Sequence, residues 1–151
     1  MSLGNFLAFL DSNTLVDLNK ITDDGDEGFS NRLKTQKYVY LAKYFGLDFG
    51  YNYGMHLHGP YSRSLTGDYY RLGSSASNNS DTLDPTFDSE KFLDTLKDKD
   101  ENWLEIASTI LHKKDTVDED SLLEYVSWIK CEHTGDFIDS VYADLKQTIL
   151  Q

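Results

Sequence analysis

Apolar positions recur at helical spacing along most of the chain, with one interruption. Phe6, Leu7 and Leu10, followed by Leu15, Val16 and Leu18, predict a first helix over 5–18 with a break near Ser12 and Asn13. Residues 22–28 (TDDGDEG) are acidic and contain glycine, which predicts a linker. Ser30 or Asn31 then caps a second helix that runs to Phe45, where Gly46 supplies the stop. Leu33, Tyr40, Leu41 and Tyr44 share one side of it, and Tyr38, Val39, Ala42 and Phe45 cover most of the rest. A helix that is apolar nearly all round belongs at the centre of a fold.

The interruption follows Gly46. Phe49, Tyr51, Tyr53, Met55 and Leu57 alternate with smaller or polar residues, the pattern of a short strand or hairpin near 49–58. Gly59 and Pro60 end it, and Pro60 suits the first turn of a third helix carrying Leu65, Tyr69, Tyr70 and Leu72. Residues 73–84 (GSSASNNSDTLD) have almost no apolar anchor and predict a surface loop. Four amphipathic patterns come after Pro85: Phe92, Leu93 and Leu96; Trp103, Ala107, Ile110 and Leu111; Leu122, Val126 and Ile129; Phe137, Val141, Leu145 and Ile149. Each predicts a helix that packs one face.

The expected fold class is therefore mainly α: a multi-helix single domain over 1–151 with one short β-hairpin or strand pair. It divides into a helix, hairpin and helix unit over 1–72, a loop over 73–87 and a helical part over 88–151. Three early helices with a short hairpin also fit a winged-helix-like first half, and with it a DNA-binding regulator as the alternative function. An enzyme is the second alternative.

Composition supports one domain with a real core: 151 residues, 39% of them hydrophobic, with 10 Tyr, 8 Phe and 2 Trp. Charge changes the functional picture more. The formal net charge of -12 repels phosphate backbones over a Debye length of ~8 Å, so nucleic acid is disfavoured and a basic protein partner is favoured. Arg32, Lys34, Lys37 and Lys43, interleaved with Tyr38, Tyr40 and Tyr44, are the nearest approach to a basic cluster, and they read as a solvated helix face. The single cysteine, Cys131, excludes an intrachain disulfide. No apolar run approaches the ~20 residues that span a bilayer, and no charged and then apolar signal segment is recognisable. The expected location is cytoplasmic, with no membrane partner.

Candidate chemistry is sparse. On a strand, His56 and His58 project from one face two residues apart and make half a zinc site, but Cys131 and His133, the remaining soft candidates, sit in no recognised spacing. No metal is expected, and both histidines read as polar positions on a half-exposed hairpin. The acidic 22–28 segment lacks the terminal bidentate Glu of a calcium loop. No nucleophile motif surrounds Cys131, which reads as a small core residue on a helix. The glycines at 46, 50, 54 and 59 fit neither a dinucleotide fingerprint nor a phosphate loop. No catalytic residue and no cofactor is expected.

The stretch 32–72, RLKTQKYVYLAKYFGLDFGYNYGMHLHGPYSRSLTGDYYRL, resembles the central segment of the YwgA-like proteins of bacteria and archaea, and more remotely the SocA-like antitoxin domain known as Panacea. Leu33, Gln36, Lys37, Tyr40 and Leu41 fill the helix pattern, and Gly59, Pro60, Tyr61 and Ser62 fill the Gly-Pro turn. His58 stands where the relatives tend to have Tyr, and Arg63 where an acidic residue is common. The resemblance implies a noncatalytic interaction module, antitoxin-like, that binds a toxin or acts as an adaptor. On that implication the candidate partner-binding residues are Gln36, Lys37, His56, His58, Gly59, Pro60, Tyr61, Ser62 and Arg63.

Overall fold

The computed structural model describes residues 2–78 and 83–151. Helix α1 (Leu3–Ser12) starts where the Ser2 side chain accepts from the Asn5 N–H, and ends at the break expected near Ser12 and Asn13. Thr14, at φ 59°, turns the chain there, and a single 3-10 turn at Leu18–Lys20 follows. Helix α2 (Asp26–Ala42) begins four residues before Ser30, inside the acidic stretch expected to be a linker. The reason is electrostatic: Asp26 and Glu27 lie in its first turn, where carboxylates meet the positive end of the helix dipole. Asn31, expected as a cap, is instead buried and bridges two segments, accepting from the Asp17 N–H and donating to the Glu27 carbonyl. A 3-10 turn at Lys43–Phe45 closes α2 onto Gly46. Gly46 has a φ of 93°, and a Cβ there would meet the Thr86 carbonyl oxygen at 1.9 Å, so only glycine fits.

The hairpin is shorter and later than the alternation suggested. Strand β1 (Gly54–His56) pairs antiparallel with β2 (Gly59–Tyr61), in the register Met55 to Pro60. Pro60 therefore lies in the second strand and not in a helix. It is tolerated because β2 has a single neighbour, so a missing N–H breaks no central ladder. Leu57 and His58 form the turn, and the left-handed backbone that closes it falls on Gly59 at φ 97°. Helix α3 (Arg63–Leu72) then starts from Ser62, whose hydroxyl accepts from the Leu65 N–H.

Of the expected loop, residues 79–82 lie outside the described residues. Gly73–Asn78 forms a 3-10 helix that packs against α1, with Ala76 buried as its apolar anchor. Four helices follow: α4 (Ser89–Leu96), α5 (Glu101–Lys113), α6 (Glu119–Ile129) and α7 (Gly135–Gln147). Helix α5 does not pack one face only, since every residue from Trp103 to Leu111 is buried. Its two buried hydroxyls bond back within the helix, Ser108 to the Leu104 carbonyl and Thr109 to the Glu105 carbonyl, while Glu105 finds its partners outside it. Cys131 is exposed in the turn after α6, not in the core, because α6 ends at Ile129. No helix among the described residues is long and apolar enough to cross a membrane.

Helices α2 and α5 lie side by side at the centre, and one apolar core joins both halves of the chain. The Trp103 indole donates to Asp144 at 3.0 Å and pins α7 to α5. Phe92 of α4 sits within a nest of rings from Phe6, Phe9, Phe45 and Phe87, at centroid distances of 5.3–6.0 Å and mostly edge to face. Fully buried, Phe92 links α4 to α1 and, through the Tyr38 ring at 6.0 Å, to α2. Phe92→Ala is expected to lower the unfolding free energy by about 3–5 kcal/mol, measured by urea denaturation, with Phe92→Leu costing less.

Candidate functional site

Three buried charged side chains hold the hairpin onto the helical body. Lys37 of α2 is 2% exposed, and its ammonium donates to the Pro60 carbonyl at 2.7 Å. Lys130, in the turn after α6 and equally buried, donates to the Leu57 carbonyl at 2.6 Å. Between them Glu105 of α5, 5% exposed, supplies the counter-charge. Its Oε2 lies 3.1 Å from Lys130 Nζ and 3.6 Å from His133 Nε2, while its Oε1 lies 3.3 Å from His58 Nδ1. Oε2 accepts no well-aligned hydrogen bond among the described residues, so its contact with Lys130 is charge attraction rather than a directed bond. Gly59 suits this approach: its φ of 97° strains any other residue, and a Cβ would crowd Thr109 Oγ1 at 3.1 Å and Lys37 Nζ at 3.3 Å.

A second set of bonds joins α2 to the start of α3. The Gln36 amide donates to the Ser62 carbonyl at 2.9 Å and to Thr66 Oγ1 at 3.0 Å, and its oxygen accepts from the Ser62 N–H at 2.9 Å. Thr66 in turn donates to the Tyr61 hydroxyl at 2.6 Å. Burial pushes the Lys37 ammonium down to about 7; Glu105 opposes that shift and Lys130 adds to it.

These bonds leave a cavity of about 310 Å³ between α2, the hairpin and α3. Gln36, Lys37 and Gly59 line it, with Tyr61, Thr66 and Tyr69. Phe29, Arg32, His56, Leu57, His58 and Tyr70 line it as well. The described part of the chain has four large apolar side chains that stay exposed: Phe29, Leu57, Tyr70 and Trp128. Three of them line this cavity. Leu57 is the most open, 79% exposed at the tip of the hairpin. Phe29 packs edge-on to the His58 ring at 5.3 Å, and the Arg32 guanidinium lies over Tyr70. Arg32 is fixed there by donating to the carbonyls of Ile21 and Asp23. Among the described residues no carboxylate lines the cavity.

Six of the nine residues singled out from the sequence meet here: Gln36, Lys37, His56, His58, Gly59 and Tyr61. Pro60 and Ser62 lie behind the wall, where they receive the Lys37 and Gln36 bonds, and Arg63 stands exposed outside it. His56 and His58 do not share a strand face. His56 ends β1 and packs against the Tyr61 ring at 4.8 Å, while His58 belongs to the turn and faces Glu105. Among the described residues, Glu105, Glu132 and His133 could bring ligand atoms together for a metal, with those atoms within 4.8 Å of one another. At that place the Lys130 ammonium already lies beside Glu105 Oε2. The basic cluster is solvated only in part: Lys37 is buried and Arg32 is tied to backbone carbonyls, while Lys43, in the turn after α2, is exposed over the Tyr40 ring at 4.2 Å. Sequence reasoning missed Glu105 and Lys130, which come from 68 and 93 residues beyond Lys37 and belong to no local pattern. Leu57 carried a signal: an apolar residue between two histidines, beside the turn-forming Gly59 and Pro60.

Two outcomes follow from the buried charges. Glu105→Gln leaves two lysines without a counter-charge and is expected to lower stability by about 3–5 kcal/mol, read from urea unfolding at pH 7. For Lys37 the folded state binds fewer protons than the unfolded state between about 7 and 10.5. Stability therefore rises with pH across that window, by at most about 1.4 kcal/mol per pH unit from this group, and the cost of burying the charge is fully present below it. Chemical denaturation of the parent and of Lys37→Met at half-unit steps from pH 7 to 10 is expected to show a smaller rise in the variant.

Comparison with protein-family models, with curated proteins and with solved structures found no match.

Proposed function

We propose that this chain is a noncatalytic protein-interaction domain, antitoxin-like in the sense that it sequesters a partner or serves as an adaptor, and that the cavity between α2, the hairpin and α3 is its docking site. The carrying observation is the convergence of Phe29, Leu57 and Tyr70, three of the four exposed large apolar side chains in the described residues, on one concavity. Exposed apolar groups gathered around a hollow mark contact surfaces, and aromatic anchors in a pocket carry most of the binding energy of an interface.

The polar groups around the cavity support the same reading. Gln36, Lys37 and Lys130 hold backbone carbonyls, which fixes the shape of the wall, and Glu105 offsets part of the lysines' charge. The hairpin is thereby a rigid presenter of Leu57, and rigidity lowers the entropy lost on binding. The charge of -12 adds long-range attraction for a partner with a basic surface.

Leu57→Glu and Tyr70→Ala alter side chains that are 79% and 46% exposed, so both variants are expected to fold with unchanged circular dichroism. Each is expected to lose at least ~10-fold in affinity for a protein partner captured from native lysate by the parent chain, as a hot-spot loss of roughly 1.4 kcal/mol or more requires. Retention of that partner by both variants would place the interface elsewhere.

A further inference from the structure

The geometry points to a specific occupant for this cavity: the C-terminal residue of a partner polypeptide, with its apolar side chain between the exposed aromatic and leucine side chains and its free carboxylate toward Lys37 and Arg32. The inference rests on the cavity being the docking site and adds the chemistry of what enters it.

Charge is the first argument. The chain carries 26 acidic against 14 basic side chains, yet the described cavity wall holds two of the basic ones, Arg32 and Lys37, and no carboxylate. Such a local reversal in an acidic protein favours an anion at that spot. Local counter-charge is also short. Lys37 and Lys130 are buried with Glu105, and the Glu105 oxygens already face Lys130, His133 and His58. Among the described residues Lys37 Nζ donates to the Pro60 carbonyl alone, and an ammonium has three hydrogens to give. Lys37 feels the charges of Glu105 from α5 and of Lys130 from the turn after α6, and His58 of the hairpin and Arg32 of its own helix line the same cavity. An incoming carboxylate would restore the charge that burial weakens, and affinity then falls as pH rises above about 7.

Size and polarity are the second argument. At about 310 Å³ the cavity stands at the lower end of ligand pockets, roughly 300–1,000 Å³, and suits one residue rather than a folded surface. Apolar and aromatic walls that also carry Arg32 and Lys37 suit an apolar side chain with a negative charge close to it. A chain terminus offers both within one residue, and capture of a terminal carboxylate is a recurring mode of peptide recognition.

A library of peptides displayed with free C-termini, randomised over the last four positions, is selected on the full-length chain. The winners are synthesised as free acids, as C-terminal amides and with one added C-terminal glycine amide. Selection of apolar last residues, with affinity falling at least tenfold on amidation and weaker binding at pH 9 than at pH 6.5, is the expected result. Because amidation alters the peptide and not the protein, no misfolded variant can mimic it. Equal binding of acid and amide, selection of internal acidic residues in place of an apolar terminus, or no selected binder each overturns the proposal. The docking-site reading is judged separately by Leu57→Glu: loss of the lysate partner in that variant together with equal binding of acid and amide would keep the site and reject the terminal carboxylate.

Discussion

Two buried ammonium groups and one buried carboxylate attach the hairpin to the rest of the protein. A pair of three-residue strands has too little area to be stable alone, and here Lys37 and Lys130 grip it from below through the carbonyls of Pro60 and Leu57. Glu105 makes that grip tolerable by keeping the two positive charges from standing unpaired in the interior. Buried ion groups of this kind are poor contributors to net stability. Their effect is positional: the two ammonium groups hold the Pro60 and Leu57 carbonyls and so set where the hairpin lies.

That placement depends on the helical centre. Lys37 and Glu105 project from α2 and α5, the two helices at the middle of the core. Small polar residues at this interface, Thr35, Ser108 and Thr109, bond back to their own helices. Packing of Phe92 among its neighbouring rings fixes α4 and α1 at the far side. A rigid body thus carries an exposed tip, and the cavity lies where tip and body fail to close. Its apolar rim and acid-free wall follow from the same few contacts that hold the hairpin down.

The helical plan was legible in the sequence because burial of one stripe imposes a period on apolar residues, and that period is local. Phe6, Leu7 and Leu10, the α2 aromatics and the α5 to α7 patterns all appear as helices. Where the reading erred, a local cue had two meanings. Acidic residues at 26 and 27 serve a linker or a first helical turn equally well, and the helix dipole decided it. Gly-Pro marks both helix starts and strand edges, and Pro60 took the strand because Met55 lies across from it.

The sequence by itself determined the mainly helical architecture, the central α2, the break near Ser12 and Asn13 and the stop at Gly46, while Gln36, Lys37, Gly59 and Tyr61 drew attention only through a family resemblance. Tertiary structure alone decided that Lys37 is buried rather than solvated, that Glu105 and Lys130 pair within electrostatic reach of it, and that Phe29, Leu57 and Tyr70 line one hollow. Periodicity records which side of an element faces the core. It carries no information on which distant charge waits there, because such pairing is fixed only when α5 and the turn after α6 come to rest against the hairpin.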